Sequence, residues 1–364
     1  MKILFYFGHP AQYLFARNSL KQLTSRGHQI KIVIKTKDVL ENLLQNDNLE
    51  YENILPKERG TSKLEIALSL VRRNIALFPI IIKFKPNLLI GTDATIAQIG
   101  KLLNIDRITI LEDDYNIIKT LADITYPFTQ TIFCPNVCGV GKWDKKKVGY
   151  EGYMKLGYLH PNIFKENDSI LEKYQLKDNY VIIRLAKLTA HHDFGIKGIN
   201  VQLLDKLIDI LQKKSYQVIL STEDTIDKKY NSHILNINPS DMHNLLANAL
   251  LLISDSQSMS VEAALLGVPS FRISSFVGKI SVLEELEHNY SLTFGIESNK
   301  IETIFDKLEQ LLSMKNLKET FLQRKDKMLL DKIDVSSFFT WFIENYPQSL
   351  DIVKKDRTYQ LKFK

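Results

Sequence analysis

Short runs of β-branched and aliphatic residues alternate with longer stretches of helical periodicity along most of the chain. That alternation constrains the fold more than any other feature. Lys2–Phe7 reads as a buried strand, and Tyr13–Arg26 follows with Leu14, Phe15, Leu20 and Leu23 at helical spacing. Gly27 ends that helix, and Gln29–Ile34 is the next strand. Further strands are expected near Asn87–Ile90, Arg107–Leu111 and Thr131–Cys134. A polar stretch with Pro161, Asn162, Asn167 and Asp168 interrupts the pattern around residues 160–178. It then restarts, with strands at Tyr180–Arg184, Gln217–Leu220, Leu250–Ile253 and Pro269–Ile273. Helices are expected at Val201–Lys213, Asp241–Ala249 and Ser258–Leu266, and beyond Asn299 the chain is helical and charged. Val335–Asn345 reads as one more amphipathic helix. Such βαβ order implies parallel sheets covered by helices on both faces.

With 364 residues, the chain has room for two doubly wound, Rossmann-like α/β domains, residues 1–165 and 176–334, facing each other across a cleft, with 335–364 as a terminal helical segment. Ligands of such sheets bind beyond the carboxyl ends of the strands, so the cleft is the place to expect a site. Composition excludes other classes: 45% hydrophobic and 25% charged residues do not suit a disordered, collagen-like or coiled-coil chain. Two cysteines, Cys134 and Cys138, are too few for a disulfide scaffold and lack the partners of a zinc site. The N-terminus starts as a strand without a signal-peptide pattern. The most apolar run, Ile75–Ile82, is interrupted by Pro79 and is too short to span a bilayer. A cytoplasmic protein is expected.

The net charge of +6 lies entirely in the first half, where residues 1–168 carry 23 Lys+Arg against 17 Asp+Glu; the remainder balances at 25 against 25. An anionic partner on that half, or simply a slightly basic solvated surface, accounts for this. Val71–Lys85 mixes basic and apolar residues, as either a peripheral contact with the inner face of a membrane or a buried helix would require. No helix-turn-helix, zinc-finger or RNP-type motif is present, so nucleic acid is not an expected partner.

Four groups of residues could carry chemistry. Leu250–Ile253 ends in Ser254-Asp255-Ser256-Gln257-Ser258-Met259, where a helix begins. Amides, hydroxyls and the positive helix end would converge there on a diphosphate, or the serines simply cap the helix. Glu262, one turn on, could accept hydrogen bonds from ribose hydroxyls. His9, in Gly8-His9-Pro10 after the first strand, could take a proton from a sugar hydroxyl; His28, in the Arg26-Gly27-His28 turn, reads as structural. Arg184 ends the first strand of the second half and suits a phosphate clamp, followed by Ala190-His191-His192-Asp193-Phe194-Gly195, where His191, His192 and Asp193 could bind a metal or the segment is a polar loop with one functional histidine. Asp93 and Glu112-Asp113-Asp114 sit at strand ends of the first half, as acid–base groups, cation ligands or helix caps. The lysines Lys142, Lys145, Lys146 and Lys147 read as a solvated loop, with contact to an anionic acceptor as the alternative. Cys134 and Cys138 read as free thiols. Capping accounts for Ser240 and Asp241.

Together these segments resemble a known class. GHPAQYLFARNSLKQLTSRGHQI is similar to the N-terminal signature of GT-B glycosyltransferases, and DSQSMSVEAALLGVPSF to their nucleotide-sugar signature. With EGYMKLGYLHPNIF, IIRLAKLTAHHDFGIKGI and FVGKISVLEELE, the chain resembles an uncharacterised prokaryotic family of predicted GT-B glycosyltransferases. That family is related to the non-hydrolysing UDP-N-acetylglucosamine 2-epimerases, and the likeness covers about residues 1–300.

The resemblance implies that the second domain holds a nucleotide-diphosphate sugar, UDP-linked, through Arg184, Ser256, Gln257, Ser258, Met259 and Glu262. His9 matches the proton-accepting base of inverting transferases, with Asp93 or Glu112 as the substitute base. Asp93 and Glu112 match two catalytic acids of the epimerase, and His192 lies near its catalytic histidine. The epimerase's third acid is missing, with Ile118 and Lys119 in that region. The expectation is therefore a metal-independent transferase with no cofactor beyond its donor. It would move a sugar to a hydroxyl on a glycan or lipid-linked acceptor in surface-polysaccharide assembly, the first domain holding the acceptor. The alternatives are a nucleotide-sugar epimerase or hydrolase and a non-enzymatic nucleotide-sugar binder. The resemblance also implies that 335–364 returns to the first domain.

Overall fold

In the computed structural model, residues 1–56, 62–185, 198–222 and 226–364 are described. The chain divides into two units, Met1–Ile163 with Lys332–Lys364, and Phe164–Asp331.

Unit 1 is built on seven strands: β1 (Lys2–Phe7), β2 (Gln29–Lys35), β3 (Glu52–Leu55), β4 (Leu88–Gly91), β5 (Asp106–Ile110), β6 (Thr131–Pro135) and β7 (Lys147–Tyr150). Their order is β3-β2-β1-β4-β5-β6-β7, and every pairing is parallel. A parallel sheet with helices on both faces buries its strands on both sides. Ile3, Leu4, Phe5, Tyr6 and Phe7 of the central strand are accordingly all fully buried. From β1 the chain moves outward to β2 and β3, then returns on the other side at β4, so the direction of winding reverses between β1 and β4.

The last segment belongs to this unit. The helix Val335–Glu344 begins at Asp334, whose side chain accepts from the Ser337 amide. It buries Phe338, Phe339 and Phe342. Phe339 meets Phe15 and Phe133 with ring centroids 4.7 and 4.9 Å apart. Thr340 Oγ1 donates to Ser19 Oγ at 2.9 Å, and Asn18 Nδ2 to Ser336 Oγ at 2.8 Å.

Unit 2 has five strands: β8 (Tyr180–Leu185), β9 (Gln217–Thr222), β10 (Leu251–Ser254), β11 (Ser270–Ile273) and β12 (Thr293–Ile296). The order is β12-β11-β10-β8-β9, again parallel throughout, so the winding reverses between β8 and β10. The helix Gln257–Leu266 follows β10 and stops at Gly267, whose φ of 76° is the left-handed conformation that glycine adopts without a Cβ clash. Among the described residues no helix is long and apolar enough to cross a membrane.

Half of the lysine run differs from its sequence reading: Lys142 and Lys145 are exposed, but Lys146 and Lys147 are not. Lys146 Nζ donates to the carbonyls of Tyr126, Pro127 and Thr129 at 2.7, 3.3 and 2.7 Å, while Lys147 opens β7 and reaches the carbonyls of Asn136 and Cys138. Both ammonium groups thus satisfy loop carbonyls that no strand pairs.

Candidate functional site

Doubly wound sheets bind ligands at the carboxyl edge where the winding reverses. In unit 1 that place is the end of β1 and β4, and the residues there are His9 and Asp93. Lys35 stands beside them at the end of β2, and Glu112 just beyond β5.

His9 caps the helix Pro10–Ser25: its extended backbone turns the chain, and its Nδ1 accepts from the Ala11 amide at 3.2 Å. In the neutral ring the proton therefore sits on Nε2, 3.9 Å from Asp38 Oδ2. Desolvation, joined by the ammonium groups of Lys37, Lys155 and Lys35 and opposed by Asp38, holds the His9 pKa well below the usual histidine value. With 46% of its side chain exposed, the ring is reachable from solvent, and it is neutral at pH 7.

Asp93 caps the helix Ala94–Leu102 through the Thr95 amide at 3.0 Å. Burial alone would raise its pKa; Arg73 Nη2 at 3.4 Å, Lys35 Nζ at 3.9 Å and the Thr95 amide outweigh that and hold it low. Lys35 reaches Asp93 by lying across Gly8. A Cβ at Gly8 would come within 2.8 Å of Lys35 Cε, so a larger residue there would make the lysine's flexible end shift. Glu112 is buried in an ion pair with Lys155, and its other oxygen accepts from the Met154 amide at 2.5 Å. Cys138 Sγ donates to the Glu112 carbonyl at 2.8 Å; both cysteines are free and buried. Asp93 is thus held as an anion by cations and Glu112 is paired with one, and the edge presents lysines around a neutral imidazole.

In unit 2 the reversal lies at Arg184 and Ser254. The register puts Ser221, Arg184, Ser254, Arg272 and Gly295 in one row across all five strands, so their side-chain directions share one face. Arg184 Nη1 donates to Ser221 Oγ at 2.8 Å, which confirms the shared face. Ser254 Oγ accepts from the Ser256 amide at 2.8 Å and tightens the turn; Ser256 Oγ then accepts from the Met259 amide at 3.4 Å as the N-cap. No hydrogen bond among the described residues engages the amides of Gln257 and Ser258. They lie in the first turn, which has no intrahelical acceptors. Glu262, buried on the same helix, lies 3.3 Å from His243 Nε2. Arg272 is fully buried and its charge is answered by Glu284 and Glu287 at 3.2 and 3.3 Å; its Nη1 is 3.5 Å from Gln257 Oε1.

The structure therefore brings His9, Asp93 and Glu112 to one edge of unit 1, and Arg184, Ser256, Gln257, Ser258, Met259 and Glu262 around one edge of unit 2. His192, with the rest of 186–197, lies outside the described residues. His28 contacts Glu344 at 3.4 Å and the N-terminal amine at 3.1 Å, a structural position. Asp241 does not cap its helix; its carboxylate binds Lys173 and the Tyr174 hydroxyl instead, at 2.6 and 2.7 Å. Sequence reasoning missed Lys35, Arg73, Lys155 and Arg272. A glycine just before His9 was the one local signal of a close approach there. Among the described residues, no group of three or more His, Cys, Asp or Glu side chains could hold a metal ion.

Solved structures share this architecture at low identity. The S. aureus MnaA–UDP co-structure matches with a TM-score of 0.68 and 13% identity over 96% of this chain and 97% of that one. UDP-N-acetylglucosamine 2-epimerase from Rickettsia bellii matches at 0.67 and 15%, covering 98% of each chain. The glycotransferase of kitacinnamycin matches at 0.60 and 11%, covering 94% and 98%. These likenesses establish the fold, the pair of Rossmann-like domains termed GT-B. No curated protein is significantly similar in sequence. A family model described as a protein of unknown function, DUF354, matches residues 8–335, and the chain belongs to that family.

Proposed function

We propose that the protein is a glycosyltransferase that takes a sugar from a nucleoside-diphosphate donor, UDP-linked, and passes it to a hydroxyl acceptor. The observation that carries this reading is the carboxyl edge of unit 2. A guanidinium at the end of β8 and the first-turn amides of the Ser256-capped helix stand at the winding reversal of one sheet. The S. aureus neighbour holds UDP within the same fold, which supports the choice of nucleotide.

In this reading Arg184 and the helix end stabilise the charge that develops on the departing diphosphate, so donor cleavage needs no metal. Glu262, braced by His243, receives the ribose hydroxyls. Unit 1 holds the acceptor, a glycan or lipid-linked sugar. His9 takes the acceptor's proton when Nδ1 leaves the Ala11 amide, at the cost of one N-cap, about 1 kcal/mol. Asp93 and Glu112 keep the surrounding cations in place and do not act as bases.

A second reading, epimerisation or hydrolysis of the donor, draws support from the 2-epimerase likeness and from Asp93 and Glu112 standing at neighbouring strand ends. Incubating a UDP-sugar with the protein, with and without candidate acceptors, separates the two. Product that forms only with acceptor supports transfer; a C2 epimer or free sugar formed from donor alone would overturn it.

A further inference from the structure

The helix Lys63–Phe84 of unit 1 has two apolar faces, and the sheet accounts for only one. Leu77, Ile80 and Ile81 pack into the core with Leu4, Tyr6, Val33 and Leu89. On the opposite side Leu68, Val71, Ile75, Phe78 and Ile82 are between 39% and 69% exposed. Their spacing is three, four, three, four, the seam of a two-stranded coiled coil. At about 100° per residue the five side chains fall within about 80° of arc, narrower than the face a helix presents to a broad apolar surface. Pro79 lies beside the stripe and does not interrupt it.

We infer that this stripe is a dimer interface and that its occupant is the same helix of a second copy of this chain, running antiparallel about a two-fold axis at Ile75. That arrangement is self-complementary. Leu68 meets Ile82 of the second copy, Val71 meets its Phe78, and Ile75 meets its counterpart. The charges agree as well. Glu65, Arg72 and Lys83 are exposed on one flank of the stripe. With a rise of about 1.5 Å per residue, Glu65 lies about 15 Å before Ile75 and Lys83 about 12 Å after it. Reversal about the axis therefore sets Glu65 beside Lys83 of the second copy, twice. An anionic membrane would meet Arg72 and Lys83 favourably but would repel Glu65, so the charge pattern favours the second copy.

The inference is independent of the proposed reaction. Sedimentation of the full chain across roughly 1–100 μM, the range in which small interfaces dissociate, tests it. The expected result is a species of twice the 42.0 kDa chain mass that dissociates on dilution. Ile75→Asp, which places two carboxylates at the axis, weakens association by about 100-fold or more while leaving circular dichroism unchanged and, at concentrations where the native chain is itself dissociated, the melting temperature too. Lys83→Glu weakens it a few-fold, less so at high salt. A monomer at every concentration overturns the inference, as does a dimer indifferent to Ile75→Asp. A monomer that co-sediments with phosphatidylglycerol vesicles and releases them on Ile75→Asp also overturns it, in favour of a membrane.

Discussion

At the scale of single residues, the unit 1 edge separates groups that could exchange protons from groups held fixed. Glu112 and Lys155 are both buried and paired. Removing one charge strands the other, so Glu112→Gln costs about 3 kcal/mol, measured as a lower urea midpoint with unchanged slope. The imidazole of His9 titrates low because desolvation and three lysines disfavour its cation. If it is the base, it stays competent as pH falls through 6.5, and the acid limb of kcat/KM moves below the ordinary histidine range, toward pH 4. An acid limb at 6.5 would contradict this assignment. Asp93 is shifted in the same direction but is held in its charged form. Its folded-state pKa is depressed, so its stabilisation is present above the unfolded carboxylate value and fades as pH falls through the lower folded one. Strand-end positions such as Asp93 and Glu112 were legible in sequence because they follow apolar runs. Their partners were not: Arg73 and Lys155 come from elements 20 and 43 residues away, and nothing local marks such pairs.

At the scale of elements, legibility followed burial. β1, β8 and β10 each carry a continuous buried apolar run because both their faces are covered, with polar residues only at or next to their ends, and each was visible as a strand within a residue or two of its observed ends. β3, β7 and β12, each four residues long, went unread. β7 holds Lys147 and Gly149, and none of the three carries a continuous buried run, so no period distinguishes them from loops. Val335–Glu344 was visible as a helix, yet what it packs on was not: its aromatic ridge meets Phe15 and Phe133, more than 200 residues earlier. Phe339 is fully buried at that junction, so Phe339→Ala lowers stability by about 3–5 kcal/mol, read as a loss of melting temperature in unit 1. The Ser256 cap is smaller: Ser256→Ala costs about 1 kcal/mol and leaves the β10 strand in place.

At the scale of the whole molecule, two parallel sheets of seven and five strands each carry cationic groups where the winding reverses, and they differ in kind. Unit 1 gathers lysines around a neutral histidine; unit 2 presents an arginine and a helix N-terminus, to which the proposed function assigns the diphosphate. Repetition of the βαβ pattern made this architecture readable from sequence, whereas the reaction depends on side chains that periodicity does not encode. The central claim is that the unit 2 edge seats a nucleoside diphosphate, and calorimetric titration of the full chain with UDP tests it most directly. Binding is expected, and Arg184→Ala is expected to weaken it by about 10- to 100-fold through loss of a charge-assisted contact. No binding of any nucleoside diphosphate, or binding that Arg184→Ala leaves untouched, would contradict the account.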